Sequence, residues 1–424
     1  MAHPFLHRLT LRLDAQRAAG LDRTVMTPET RTTRHVILDG QRLCNFASND
    51  YLGLADDAAW RAEVADCFAR HPASGTASRL AAGHSALVAE AEAAWAEHFG
   101  YESCLFLPSG YQANLAVVTG LLHTGDTLFI DRRIHASMAR AVPLCGAHPV
   151  TYPHGDLARL DRRLTAWRHE TTAETASAAP LTEGAPLSSP PATCPTASPP
   201  PHGDASPVIL TESLFSMDGT VTSMDALATL RSRHGAFVIL DEAHACGALG
   251  QGGRGLAWGQ TENAPAADVI VGTLGKGPGF FGAFVLMPRI VRESLENFAS
   301  AVMHSTALPE AHAAAVLRLL PRMAGMDDAR ARLARNARAL REGLAGCGLP
   351  VHGDAHILCI ETGDEAQATQ LARRLRTQGV LALSARHPTV PHGHAIVRFS
   401  VTAAHTDDDI TYCKETVHTC LHTR

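Results

Sequence analysis

Three short stretches carry residue types that can act together on a small molecule. Lys276 stands between glycines in DVIVGTLGKGPGFFGAFV, with Thr273 three residues before it. Lysine is scarce in this chain and no charged face surrounds Lys276, so it does not read as a solvated surface cation. Flanking glycines let a bound group approach the backbone. An amine partly withdrawn from water and close to another cation has a lowered pKa, which makes it a nucleophile towards a carbonyl and then a proton carrier. A second stretch, AFVILDEAHACGALGQGGRG, delivers Asp241 and His244 directly after a run of buried-strand character. A carboxylate there needs a partner. A pyridinium nitrogen would supply one, and the ring would then draw electrons from a carbanion formed on an amino acid. Taken alone, Asp241 reads more readily as the cap of the following turn, with His244 a satisfied core histidine. In the third stretch, LFLPSGYQANLAVV, a strand runs into Ser109-Gly110-Tyr111 and a helix, whose first N–H groups can cradle a phosphate.

These stretches need elements to hold them. Short apolar runs at 103–107, 127–131, 207–212, 236–244 and 268–276 alternate with helical patterns. That alternation predicts βαβ units: an α/β fold with a mostly parallel central sheet and helices on both faces. Ligands of such sheets bind in the crevice outside the carboxyl ends of the strands, where all three stretches fall. Leu87, Ala91, Trp95 and Phe99 recur every four residues, which predicts a helix capped by Ser85 and stopped by Gly100. Towards the C-terminus, ARARLARNARALREGLAG, HILCIET, VLALSA and AIVRFSV predict a smaller α+β domain. The expected division is an N-terminal segment 1–46, a large domain 47–295 and a small domain 296–424. Residues 171–207 hold nine of the 24 prolines and no lysine or arginine, so they cannot build a core and read as a disordered surface insertion.

Composition bounds the partners. With 46% hydrophobic and 19% charged residues over 424 positions, the chain reads as a soluble globular protein. A net charge of -5 offers no basic field for nucleic acid, so a small-molecule substrate is expected. Ten scattered cysteines without a C-x-x-C pair suggest reduced, mostly buried thiols and no metal site. No stretch approaches the roughly 18 apolar residues of a membrane helix and no secretory leader is evident, so the expected location is the cytoplasm.

The ordered set NFASNDYLGLA, GTASRLAAGH, PSGYQAN, DRRIHASM, TESLFSMDG, LDEAHACGALG, GTLGKG and HST resembles the α-oxoamine synthases, fold-type I enzymes that depend on pyridoxal 5'-phosphate. The resemblance covers nearly the whole chain outside the insertion. It implies that Lys276 is the Schiff-base lysine, Asp241 the partner of the pyridine nitrogen and His135 the ring stacked on the cofactor, with Ser216 and His244 on the phenolic oxygen side. It places Ser109, Gly110, Tyr111 and Thr273 at the cofactor's phosphate end. Ser305 and Thr306 match phosphate contacts made across a dimer interface, which implies a homodimer. Arg398 matches the residue that grips the amino-acid carboxylate, helped by Asn49, while Arg23 and Thr389 match positions for the acyl substrate. Within the family, ARHPTVPHGHAIVRFSVTAAHT (385–406) is most similar to members of biotin biosynthesis that condense L-alanine with pimeloyl-CoA or pimeloyl-ACP. Members that use glycine or serine share the catalytic core but not the P-T-V-P turn. Ala77, Cys246, Pro278 and Phe281 depart from the residues usual in relatives, which implies an acyl channel of different shape.

Overall fold

The computed structural model describes residues 3–177, 206–259 and 265–422. All five expected runs contain strands: Ser103–Leu107, Thr127–Asp131, Val208–Glu212, Phe237–Asp241 and Val269–Thr273. With His148–Tyr152 and Ala283–Met287 they form one seven-stranded sheet. Its order is Ser103–Leu107, Ala283–Met287, Val269–Thr273, Phe237–Asp241, Val208–Glu212, Thr127–Asp131, His148–Tyr152. Five of the strands are mutually parallel neighbours, while Ala283–Met287 runs antiparallel to both strands beside it.

Side chains of a strand alternate between its two faces, so a sheet covered on both must be apolar throughout. In Phe237–Asp241, Val238 and Leu240 enter one core and Ile239 the other. Each such buried side chain contributes about 2 kcal/mol by leaving water. What breaks the apolar run is the last residue. Four neighbouring parallel strands end in Asp131, Glu212, Asp241 and Thr273, all buried. The carboxyl edge of the sheet is therefore a row of polar groups beneath the surface.

The helix expected from the four-residue repeat spans Ala86–Phe99, with Ser85 accepting from the Val88 N–H and Gly100 left-handed at φ 70°. Its Trp95 and Phe99 share a cluster with Ala313, Val316 and Leu319 of helix Glu310–Ala324. Helix Leu157–Ser177 runs seven residues into the segment expected to be an insertion, so 171–177 are helical rather than irregular. The rest of that segment, up to 205, lies outside the described residues.

Two smaller sheets complete the fold. One joins Thr30–Arg31, His35–Leu38, Gln41–Asn45 and Val380–Leu381; the other joins Val351–His352, Ile357–Gly363, Ala395–Ser400 and Leu383–Ala385. VLALSA, read from sequence as one strand, is thus split around Ala382. Its first half pairs in parallel with Gln41–Asn45, its second antiparallel with Ala395–Ser400. Nothing in V-L-A-L-S-A marks such a change of partner; Val380 and Leu381 are buried, while Leu383 is exposed and Ser384 half-buried. The nine described cysteines are free, and all but Cys145 are buried.

Gly219 ties the Met217-Asp218-Gly219 turn to the smaller sheet. Its φ is 71°, and a Cβ there would run into the backbone carbonyl of Ile357. Neither strain can relax by moving a side chain, so Gly219→Ala is expected to lower the free energy of unfolding by about 2–4 kcal/mol, read from a denaturant titration. An unchanged midpoint would show that the turn is not held as described.

Candidate active site

Asp241 and Lys276 close adjacent strand-to-loop turns at the carboxyl edge. Asp241 is buried at the end of its strand; Oδ1 accepts from the Ala243 N–H at 2.8 Å and Oδ2 from Asn114 Nδ2 at 2.7 Å. Asn114 comes from helix Gly110–Leu121, which packs against the sheet. Beside Asp241 in register lies Glu212, also buried, whose carboxyl is pushed well up by burial and by the Asp241 charge. The Lys276 amine contacts His244 Nε2 at 2.8 Å. Burial depresses its pKa to about 8 against the opposing pull of Asp241 and Glu212, with Arg398 assisting the fall. A tenth or so of the amine is then neutral near pH 7, against less than a thousandth for an ordinary lysine.

His135 caps helix Ala136–Cys145. The hydrogen-bond chemistry around it fixes its tautomer. Asp241 only accepts, so the Asn114 atom facing it is the NH2 group, which also donates to Ser137 Oγ at 3.0 Å. The Ser137 N–H reaches His135 Nδ1 at 3.3 Å, which makes that nitrogen an acceptor, and Ser137 Oγ gives its own proton to it at 2.7 Å. Nδ1 is an acceptor and the proton sits on Nε2. Burial lowers the pKa of this ring, against the opposing charge of Asp241, which favours the neutral form. His135 is therefore a neutral donor.

Arg398 lies buried in strand Ala395–Ser400, with Nη2 on Asn49 Oδ1 at 3.2 Å and Nε without a partner. A buried guanidinium with a free N–H is a seat for a carboxylate. Ser109 caps helix Gly110–Leu121 by accepting from the Gln112 N–H at 3.2 Å, and Thr273 Oγ1 holds the Gly275 N–H at 3.2 Å. Gly110 faces Thr273, while Tyr111 is exposed. Ser305 and Thr306 line a small hollow with Arg79, Pro108 and Gln112 of the same chain.

A cleft of about 930 Å³ adjoins this centre rather than containing it: His135 and Ser216 line it, Asp241 and Lys276 do not. Arg23 and Thr389 line the same cleft and approach each other at 3.5 Å. Its wall includes His154, held between Asp131 at 3.0 Å and Asp218 at 3.1 Å. Burial opposes its charge, but these two carboxylates hold its pKa up at about 9. Sequence reasoning missed Asn114, Tyr51 and His154. The first two stand inside quoted motifs, but nothing local marks the partners that give them work.

The donor set suits a flat, anionic, aldehyde-bearing cofactor with a basic ring nitrogen. A desolvated amine, a buried carboxylate, helix N–H groups and a hydroxyl at a strand end meet at one edge of the sheet. Each matches a different part of pyridoxal 5'-phosphate.

Residues 41–417 match the model of the family described as aminotransferase class I and II. The chain is 35% identical over 413 residues to 8-amino-7-oxononanoate synthase of Stutzerimonas stutzeri, covering 97% of this chain and 96% of that protein. The corresponding figures for the protein of that name from Pseudomonas putida are 35%, 95% and 94%. Among solved structures, serine palmitoyltransferase from S. paucimobilis with a bound PLP–myriocin aldimine superposes with TM-score 0.82 at 22% identity, covering 97% of this chain and 96% of the other. The 8-amino-7-oxononanoate synthase of Francisella tularensis superposes with TM-score 0.70 at 26% identity, covering 89% and 97%.

Proposed function

The chain belongs to the aminotransferase class I and II family and, within it, to the pyridoxal-phosphate-dependent α-oxoamine synthases, and from that premise we propose that it condenses L-alanine with a pimeloyl thioester. The products are 8-amino-7-oxononanoate, carbon dioxide and the free thiol, a step of biotin biosynthesis. One observation carries the reading: a carboxylate seat at Arg398, a depressed amine at Lys276 and a cleft faced by the His135 donor adjoin one another.

Bound at this site, the cofactor supplies an electron sink for the carbanion that the condensation requires. In the proposal Asp241 holds the ring nitrogen protonated. Arg398 grips the alanine carboxylate and so orients the α-carbon. Lys276 Nζ takes the α-proton and later returns one, as an amine with a pKa near the working pH does well. His135 Nε2–H donates to the thioester carbonyl oxygen as negative charge grows there. Thr273, Ser109, Gly110 and Tyr111 serve the phosphate end, and Ser216 and His244 the phenolic side. Three cleft arginines, Arg23, Arg132 and Arg140, make no ion pair with a carboxylate among the described residues. They suit a donor with anionic groups, whether the carrier is CoA or acyl carrier protein. The proposal includes a cytoplasmic homodimer in which Ser305 and Thr306 reach the other protomer's cofactor phosphate. Among the described residues no helix is long and apolar enough to cross a membrane.

The test is thiol release from pimeloyl-CoA in the presence of L-alanine, glycine or L-serine. Release with alanine at least about tenfold faster than with the other two is expected, since glycine lacks its methyl group and serine adds a hydroxyl, and a fitted pocket discriminates against either by at least that order. Preference for glycine with a short acyl donor, or activity without any amino acid, would overturn the assignment.

A further inference from the structure

Tyr51 is fully buried, and its hydroxyl stands between two functional side chains: His244 Nδ1 at 2.6 Å and Asn49 Oδ1 at 3.0 Å. Beyond His244 lies the Lys276 amine at 2.8 Å, and beyond Asn49 lies Arg398 Nη2 at 3.2 Å. Five side chains thus form one hydrogen-bonded chain from the carboxylate seat to the amine.

The chain has a direction, and the arginine sets it. A guanidinium has donors only, so the Asn49 atom facing it is the carbonyl oxygen. That oxygen accepts, so the hydroxyl of Tyr51 must donate to it; two lone pairs would otherwise face each other at 3.0 Å. Tyr51 has one proton, now used, and therefore accepts from His244 Nδ1–H. The proton of the neutral imidazole being on Nδ1, Nε2 is bare and accepts from Lys276. Reversing any one link leaves an acceptor against an acceptor.

We propose that Tyr51 is a positioning residue that holds His244 in its Nδ1–H tautomer, so that a bare Nε2 is presented to the Lys276 amine and the state of that amine is coupled through Tyr51 and Asn49 to Arg398. This rests on the reading of Lys276 as the lysine that binds the cofactor. His244 is neutral because burial, and next the Lys276 charge, hold its pKa far down, with Arg398, His356 and His135 acting in the same sense. The groups facing Lys276 are His244, Asp241, Glu212, Arg398 and His135. The His356 ring packs on the Tyr51 ring with centroids 4.0 Å apart.

Removing the hydroxyl leaves Nδ1–H buried without an acceptor. His244 then gains by moving its proton to Nε2, since an orphaned acceptor costs less than an orphaned donor. Nε2–H cannot accept from an ammonium but can donate to a neutral amine. Tyr51→Phe therefore favours the neutral form of Lys276 and lowers its pKa.

The experiment uses the full-length protein freed of cofactor and follows the visible band that grows on adding pyridoxal 5'-phosphate, at a series of pH values. Capture requires the neutral amine, so its rate rises with pH and levels off above the amine's pKa. The wild-type inflection is expected near pH 8, and that of Tyr51→Phe about one unit lower, the size of a lost hydrogen bond to a charged group. Asn49→Ala frees the tyrosine proton without altering Tyr51 and should shift the inflection in the same direction, which keeps the test available if Tyr51→Phe misfolds. An unmoved inflection in a folded variant, whatever its thermal midpoint, overturns the proposal. A wild-type protein that captures no cofactor, or capture that survives Lys276→Ala, instead overturns the reading of Lys276 on which it rests.

Discussion

Lys276→Ala is expected to lower turnover by at least about 10⁴-fold while leaving the protein folded. The loss is large because the residue is asked to do two things that no neighbour can do. On the proposed reading it attaches the cofactor and moves a proton at the α-carbon of alanine. Buffer amines can replace the second role weakly, so slow rescue by added methylamine would be consistent with it. Stability should change little. The ammonium form is held in a desolvated place, its pKa depressed to about 8, so the folded state gains nothing from charging it. With a folded pKa below the unfolded one, this group opposes folding at neutral pH and stops doing so as pH rises through about 10.5, the ordinary lysine value. Thermal melts of the cofactor-free variant should therefore match or exceed those of the wild type at pH 7. The chain contains two lysines, Lys276 and Lys414, so borohydride trapping of the cofactor followed by peptide mapping distinguishes them cleanly. Label on the Lys414 peptide alone would refute the assignment.

Asp241→Asn is expected to cost about 10²- to 10⁴-fold in kcat, with the cofactor still attached to Lys276. An amide is nearly the shape of a carboxylate: its oxygen can still accept from the Ala243 N–H, while its NH2 takes the place of Oδ2 and meets the Asn114 oxygen once that amide turns over. It carries no charge, however, and cannot keep a ring nitrogen protonated. The electron sink weakens while the binding site survives. Two readouts separate this from a packing defect. The visible spectrum should show bound cofactor with altered band position. The Glu212 carboxyl, whose pKa is raised by burial and then by the Asp241 charge, should titrate at lower pH once that charge is gone. A variant that loses cofactor altogether would indicate a structural role for Asp241 instead.

The chemistry-bearing ends of this site were legible because each is announced by its own strand. Asp241 and Lys276 follow apolar runs whose burial on both faces is written in consecutive residues, and the polar residue that ends such a run has to lie at the sheet's carboxyl edge. The same logic placed Ser109 and Thr273. Asn114 and Tyr51 were not legible as partners, because their hydrogen bonds reach 127 residues to Asp241 and 193 residues to His244. No window of sequence contains both members of either pair. The two tautomers differ in this respect. His135 and His244 look alike in the chain, yet the nearby Ser137 N–H makes one a donor at Nε2, while Arg398, through Asn49 and Tyr51 brought in by folding, makes the other an acceptor at Nε2. The antiparallel strand Ala283–Met287 was hidden for a related reason: apolar content gives burial, and direction is set by the hairpin-like turn after Lys276. The split of VLALSA between two sheets depends on partners more than 330 residues away at one half and on a nearby strand at the other.

On the proposed reading, Asp241 and Lys276 address opposite sides of one pyridoxal 5'-phosphate ring. A crystal structure of the cofactor-loaded protein tests it most directly. Continuous density is expected from Lys276 Nζ to the cofactor's aldehyde carbon, with the ring nitrogen within hydrogen-bond distance of the Asp241 carboxylate. Cofactor density in the large cleft away from Lys276, or a ring nitrogen turned to a neutral group with Asp241 facing only Asn114, would contradict it.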